Sequence, residues 1–418
     1  MRVGSLFSGY GGLDLALRDV FGDVKTAWVS DIDPGACKIL AHRFPDAPNL
    51  GDITTVDWSQ VEPVDILTGG FPCQDVSTAG KRAGMKPGTR SGLWSHFAYA
   101  IDQLRPSLVL IENVRGLLSA DAHSDVEPCP WCLGDGTGQP PLRALGAVLG
   151  DLADIGYDAQ WVGLPASGVG GCHRRFREFA AAYPRGEAGD FRARLRADEP
   201  AWRGRGQSAR GDRQTLLPTP RATDGTHGGP NQRGSSGDLM LPRAVAKLLP
   251  TPAVNDMGAG KTVGDWDAWT DRMKAEHGNG NGHGASLHIE ALRLLPTPGV
   301  ADSTGGHESR SGDRSDELLL KGIAKYDQWG DYAAAIARQE QAFGRPAPDP
   351  TETAPKGGRR LSCRFDEWLM GLPDGWITDV PGITHNETLK ACGNGVVPQQ
   401  AAAAIRWLLD HINSEAVA

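Results

Sequence analysis

The chain has 418 residues, 39% of them hydrophobic and 22% charged, a balance that suits a globular protein large enough for two domains. No run reaches the length of a membrane span, the start MRVGSLFSGYGG lacks the regions of a signal peptide, and seven irregularly spaced cysteines argue against a disulfide framework. A cytoplasmic, reducing setting is expected, and the net charge of −8 argues against indiscriminate nucleic-acid binding while allowing a local basic cleft.

Up to about residue 180 the chain alternates strand-like and helix-like stretches. GSLFSGYGGLDLALRDVF predicts a short strand, a glycine turn and a helix; KTAWVSDID a second strand; PGACKILAHRF a helix; VDILTGG a third strand. The helix around LWSHFAYAIDQL, the strand SLVLIENV, the helix LRALGAVLGDLADIG and finally YDAQWVGLPA follow. Such alternation predicts a mainly parallel, doubly wound α/β sheet with its site at the carboxyl ends of the strands.

Several residues on that rim carry chemistry. FSGYGG, residues 7–12, joins a strand to a helix, where small residues let a ligand approach backbone N–H groups, although the spacing is not the dinucleotide fingerprint. Asp31 or Asp33 ends the second strand, where such sheets hold ribose hydroxyls, and Asp52 can bind an exocyclic amine; together they describe a nucleoside-shaped pocket. Cys73, in GGFPCQDVS, is delivered to the rim by VDILTGG and suits a nucleophile, the alternative being a small buried hydrophobe. Glu112, in IENV, shares that rim and can protonate a substrate beside the thiol, the alternative being a capping or solvated acid.

Further along, CPWCLGDG at 129–136 is half of a zinc-site pattern. A metal-free insertion is expected, with zinc on Cys129 and Cys132, completed from His123, Cys172 and His173, as the alternative. Arginines crowd residues 173–213. LLPTP occurs at 216, 248 and 294, each copy followed by an aspartate (Asp224, Asp256, Asp302); the unequal spacing disfavours a solenoid and predicts extended straps pinned by their Leu-Leu pairs. From 359 the pattern is regular again, ending in KACGNGVVPQQAAAAIRWLLDHI, a glycine turn and an amphipathic helix able to return to the first domain.

FSGYGG, GGFPCQDVS, IENV, HRRFR and ACGNGVVPQ, in this order, resemble the DNA cytosine-5 methyltransferase family in its bacterial and bacteriophage form, over roughly residues 1–182 and 359–418. The resemblance implies a Rossmann-like S-adenosylmethionine-dependent methyltransferase fold with an inserted, loop-rich target-recognition domain. It divides the chain into a catalytic and cofactor-binding domain (1–182), a target-recognition domain (183–384) and a returning C-terminal segment (385–418). By the same resemblance Cys73 adds to carbon 6 of a cytosine flipped out of duplex DNA, so that carbon 5 can take the sulfonium methyl. Glu112 would hold ring nitrogen 3 and the exocyclic amine, and Arg175 and Arg177 would grip the target base and nearby backbone. For the cofactor it implies Phe7, Gly9, Gly11, Asp31, Asp52, Pro72, Leu93, Asn394 and Val396. The chain departs from the pattern at Ser5, where many relatives have aspartate, at Cys172 (proline) and at His173 (glutamine). Double-stranded DNA is the implied partner, with a cognate restriction endonuclease where the pairing exists; a monomer in a bacterial or phage-infected cell is expected. The alternatives are an inactive DNA-binding relative, against which Cys73 and Glu112 argue, and an RNA cytosine-5 methyltransferase, against which the long arginine-bearing segment argues.

Overall fold

Strands covered on both faces read as nearly unbroken apolar runs, and RVGSL, KTAWVS, ILTG and LVLIENV are buried along almost their whole length. They form β1 (Arg2–Leu6), β2 (Lys25–Ser30), β3 (Ile66–Gly69) and β4 (Leu108–Val114), all parallel. The computed structural model describes residues 1–71, 92–114, 121–122, 142–186, 261–277, 286–303, 307–309, 318–326 and 330–415. After a two-residue ladder of β5 (Asp121–Ala122) with β6 (Leu142–Arg143), β7 (Tyr157–Pro165) and β8 (Phe176–Pro184) complete a six-stranded sheet of order β2-β1-β3-β4-β8-β7. β8 runs antiparallel to both its neighbours. This is the doubly wound α/β architecture expected, with one strand the sequence reading lacked. FREFAAAYP opens on the arginine-rich run and continues in alanines, residues with little strand preference; burial between β4 and β7 decides its conformation.

Alternate residues of each strand go to opposite faces. Leu67, Val109, Ile111 and Ala180 face a core shared with α3 (Leu93–Leu104) and α4 (Ala144–Asp154). Val3, Ile66, Leu108, Leu110 and Phe179 face the other, shared with α1 (Gly12–Phe21) and the C-terminal Pro398–Glu415 helix. The C-terminal helix therefore packs against α1, β7 and β8.

The third LLPTP copy is an extended strap as predicted. Leu294 and Leu295 are buried in a cluster with Ile323, Leu361 and Trp368, and Leu295 pairs with the HRRFR segment through Leu295 N–H to Cys172 O (2.8 Å) and Arg174 N–H to Leu295 O (3.3 Å). The copies at 216 and 248, like Cys129 and Cys132, lie outside the described residues. Met370, Leu372, Ile377 and Val380 share a cluster with Tyr10, Ile39 and Val397. Among the described residues no helix is long and apolar enough to cross a membrane.

Candidate active site

β1 is where strand order reverses: the chain goes to β2 on one side and to β3 on the other, which opens a crevice beyond the carboxyl ends. The loop leaving β1 lines it. Phe7, Gly9 and Gly11 all have left-handed backbones (φ 51°, 56° and 78°). For a bulky residue such as Phe7 that conformation costs on the order of 1–3 kcal/mol and is held by its surroundings, here by Ser8, whose N–H reaches Ser30 O (3.2 Å) and whose hydroxyl reaches Ser5 O (2.8 Å). At Gly11 a side chain would meet the Phe44 ring at 2.5 Å; at Gly9 nothing lies within 4 Å, so the backbone there faces open space.

Of the two acids at the end of β2, Asp33 caps α2 (Pro34–Arg43) and pairs with Lys390, whereas Asp31 accepts the Gly9 N–H at 2.8 Å and stays in the crevice. Burial pushes the Asp31 carboxyl up despite the N–H groups of Asp33 and Gly9. Asp52 is exposed and accepts the Thr54 N–H and hydroxyl at 2.9 and 2.8 Å, bonds that hold its carboxyl below the usual range. Leu93 opens α3, exposed Asn394 ends the His385–Asn394 helix, and Val396 packs against Gly12 while its carbonyl accepts the Tyr10 hydroxyl (2.7 Å). Ser5 turns beneath the loop: with Thr26 it donates to buried Asp14, at 3.0 and 2.8 Å. Asp14 had no motif to announce it.

On the other side of the crevice Glu112 is buried in β4, opposite Phe179 of β8. Arg177 Nε stands 2.6 Å from Glu112 Oε1, an ion pair without hydrogen-bond alignment. Burial raises the Glu112 carboxyl more than Arg177 and Arg175 lower it. Gly70, at the end of β3, leaves the space the carboxyl fills, since a Cβ there would lie 2.8 Å from Glu112 Oε2. Asn113 donates to Phe71 O (3.2 Å) and so ties the ends of β3 and β4 together. Gly70 and Asn113 lie within GGFPCQDVS and IENV, and nothing in those motifs marks either position by itself. Pro72 and Cys73 follow Phe71 directly and lie outside the described residues.

Arg175 and Arg177, two apart on β8, have different surroundings. Arg177 serves Glu112; Arg175 is fully buried and donates to the carbonyls of Pro298 (3.4 Å), Gly393 (3.2 Å) and Gly395. Burial brings the Arg175 guanidinium down to about 9. It thus joins the third strap to the GNG turn. His173 is also buried: Nε2 meets Leu369 O at 2.9 Å and Nδ1 accepts the Arg175 N–H at 3.3 Å, and burial lowers its pKa to about 3. With both nitrogens engaged, His173 has no lone pair left for a zinc ion on Cys129 and Cys132.

Known proteins resemble this arrangement in part. A type II methyltransferase of Escherichia coli, M.Eco47II, is 41% identical over 124 residues, 29% of this chain and 29% of that protein. M.NgoFVII, a type II methyltransferase of Neisseria gonorrhoeae, is 31% identical over 172 residues, 38% of this chain and 45% of that protein. The match thus spans less than half the length of either relative. The crystal structure of S. pombe Dnmt2 methyltransferase aligns over 99% of both chains at 14% identity, with a TM-score of 0.49. The model of the C-5 cytosine-specific DNA methylase family matches residues 1–194. Those residues, which hold β1 to β4, β7, β8 and the Glu112–Arg177 pair, are the part of the chain that is similar to the C-5 cytosine-specific DNA methylase family.

Proposed function

We propose that the chain methylates carbon 5 of cytosine in duplex DNA, with Cys73 as nucleophile and S-adenosylmethionine as methyl donor. The observation that supports this best is the Glu112 carboxyl, buried at the end of β4 beside the backbone of Gly70, which precedes Cys73 by three residues. Carbon 5 of cytosine is a poor nucleophile until a thiolate adds to carbon 6, and that addition pushes charge toward ring nitrogen 3. Burial raises the pKa of the Glu112 carboxyl, which favours its taking part as a proton donor there, and Arg177 stands beside the carboxylate. Loss of the carbon 5 proton and departure of the Cys73 sulfur then restore the ring.

The crevice suits the cofactor. The open backbone at Gly9, the half-buried Asp31 carboxyl and exposed Asp52 offer N–H groups and acids to a nucleoside with a charged tail. Phe7, Gly11, Leu93, Asn394 and Val396, with Pro72, complete the set assigned to it. When bound, S-adenosylmethionine supplies an electrophilic methyl on a sulfonium. Residues 183–384 are assigned to target recognition, where base-edge contacts select the site and the base is flipped toward the crevice.

Duplex DNA with 5-fluorocytosine at the methylated position tests the reading, because fluorine blocks the final elimination and traps the Cys73–carbon 6 bond. A covalent adduct is expected with the wild-type chain and none with Cys73→Ser. Methyl transfer to transfer RNA but not to duplex DNA would overturn the choice of substrate.

A further inference from the structure

Three residues unused by methyl transfer converge where the hairpin of β9 (Thr351–Thr353) and β10 (Arg359–Leu361) meets two helix starts. Glu352 stands in β9, Cys363 opens the Cys363–Leu369 helix and His385 opens the His385–Asn394 helix. Cys363 Sγ lies 2.9 Å from His385 Nδ1, which lies 3.2 Å from Glu352 Oε1. One ligand atom from each residue falls within 4.8 Å of the other two.

We propose that Glu352, Cys363 and His385 bind a divalent transition-metal ion, zinc(II) by donor type. One thiolate, one imidazole and one carboxylate form the mixed S, N, O set that borderline-soft zinc takes; calcium and magnesium prefer oxygen alone. Metal–ligand bonds of about 2.0–2.3 Å in a tetrahedron hold donor atoms roughly 3.3–3.6 Å apart. The two observed separations need to open by roughly 0.1–0.7 Å to reach about that spacing, within reach of side-chain torsions.

The backbone positions are fixed independently of any ion. Ser362 caps the first helix through the Phe365 N–H (3.4 Å), and Thr384 with Glu387 forms a reciprocal capping box on the second. The third donor is anchored by the hairpin, in which Glu352 pairs with Arg360. Arg360 Nη2 also lies 2.5 Å from Glu352 Oε1. That guanidinium competes with a cation for the carboxylate, and on metal binding it retains only the second oxygen. Binding replaces the thiol proton: the Cys363 S–H bond breaks, a sulfur–metal bond forms, the proton passes to solvent, and water fills the fourth position. The ion would clamp the hairpin to the helix that leads into the Asn394–Val396 segment.

The full chain, freed of metal with a chelator and titrated with cobalt(II), tests this. A sulfur-to-cobalt charge-transfer band saturating at one equivalent is expected. It should vanish in Cys363→Ser, and affinity should weaken by at least about tenfold in His385→Ala and in Glu352→Gln. Arg360→Met should bind more tightly, and the double variant Cys129→Ser, Cys132→Ser should keep the band. Absence of the band from the wild-type chain, or its retention in Cys363→Ser, overturns the proposal. Alkylation of Cys363 in the wild-type chain gives a readout that needs no variant to fold. Protection by zinc(II) supports the site, and an unchanged rate overturns it.

Discussion

Glu112 is subject to two opposing pulls, because burial favours the neutral acid while the neighbouring arginines favour the carboxylate; burial prevails and the pKa is raised. A raised pKa favours the proton donation that the addition step requires, and Glu112→Gln should slow single-turnover methylation by about 10²–10⁴ with little change in DNA affinity. Unchanged turnover with collapsed DNA binding would make the residue a structural contact instead. His173 gives a test in stability. Its folded pKa of about 3 lies below the usual value for histidine, so below about pH 6.5 the unfolded chain takes up a proton that the native chain refuses. Stability is therefore full above that pH and declines as pH falls toward 3. His173→Gln, with an amide that can donate to Leu369 O and accept from the Arg175 N–H, should remove this loss. Urea titrations at pH 7 and pH 5 should show a pH effect smaller by about 2 kcal/mol in the variant. An identical pH effect in both proteins would mean that His173 titrates normally.

Among the elements, the third LLPTP strap shows how short motifs and packing divide the work. Two prolines keep the segment extended and the leucines pin it, features readable from the sequence alone. That it lies alongside Cys172–Arg174 and lends Pro298 O to Arg175 comes from packing. Leu295 is fully buried, and Leu295→Ala should cost about 2–5 kcal/mol in chemical denaturation. A loss below about 1 kcal/mol would indicate that the strap is not part of the cooperative unit. β8 is the converse case. Its alanines are compatible with helix or strand, and only pairing to β4 and β7 makes them a strand.

At the level of the whole molecule, the described residues from 359 onward return to the first domain: the Tyr10 hydroxyl donates to Val396 O, Trp376 Nε1 donates to Tyr10 O at 2.8 Å, and the C-terminal helix packs against α1. A chimera that exchanges residues 183–358 for those of a relative should therefore keep these contacts and cytosine-5 chemistry while moving methylation to the relative's site. Methylation sequencing of DNA exposed to it would show the shift. A folded, active chimera still methylating the original site would put recognition in the first domain. The scale of the shift follows from base contacts worth about 1–3 kcal/mol each, all on the reading surface.

The sequence by itself determined the order of the longer strands and helices up to β7, because hydrophobic periodicity and turn chemistry act over a few residues, while Phe7, Gly9, Asp31 and Glu112 as site residues were implied by the resemblance of their motifs. Only the tertiary structure decided that Arg177 faces Glu112 while Arg175 faces backbone carbonyls, that Asp33 is taken by Lys390, and that Glu352, Cys363 and His385 meet. Arg175 and Arg177 have the same side chain two residues apart in one strand, and they differ only in what lies near each. Those neighbours come from positions up to 220 residues away, and no local pattern encodes such a distance.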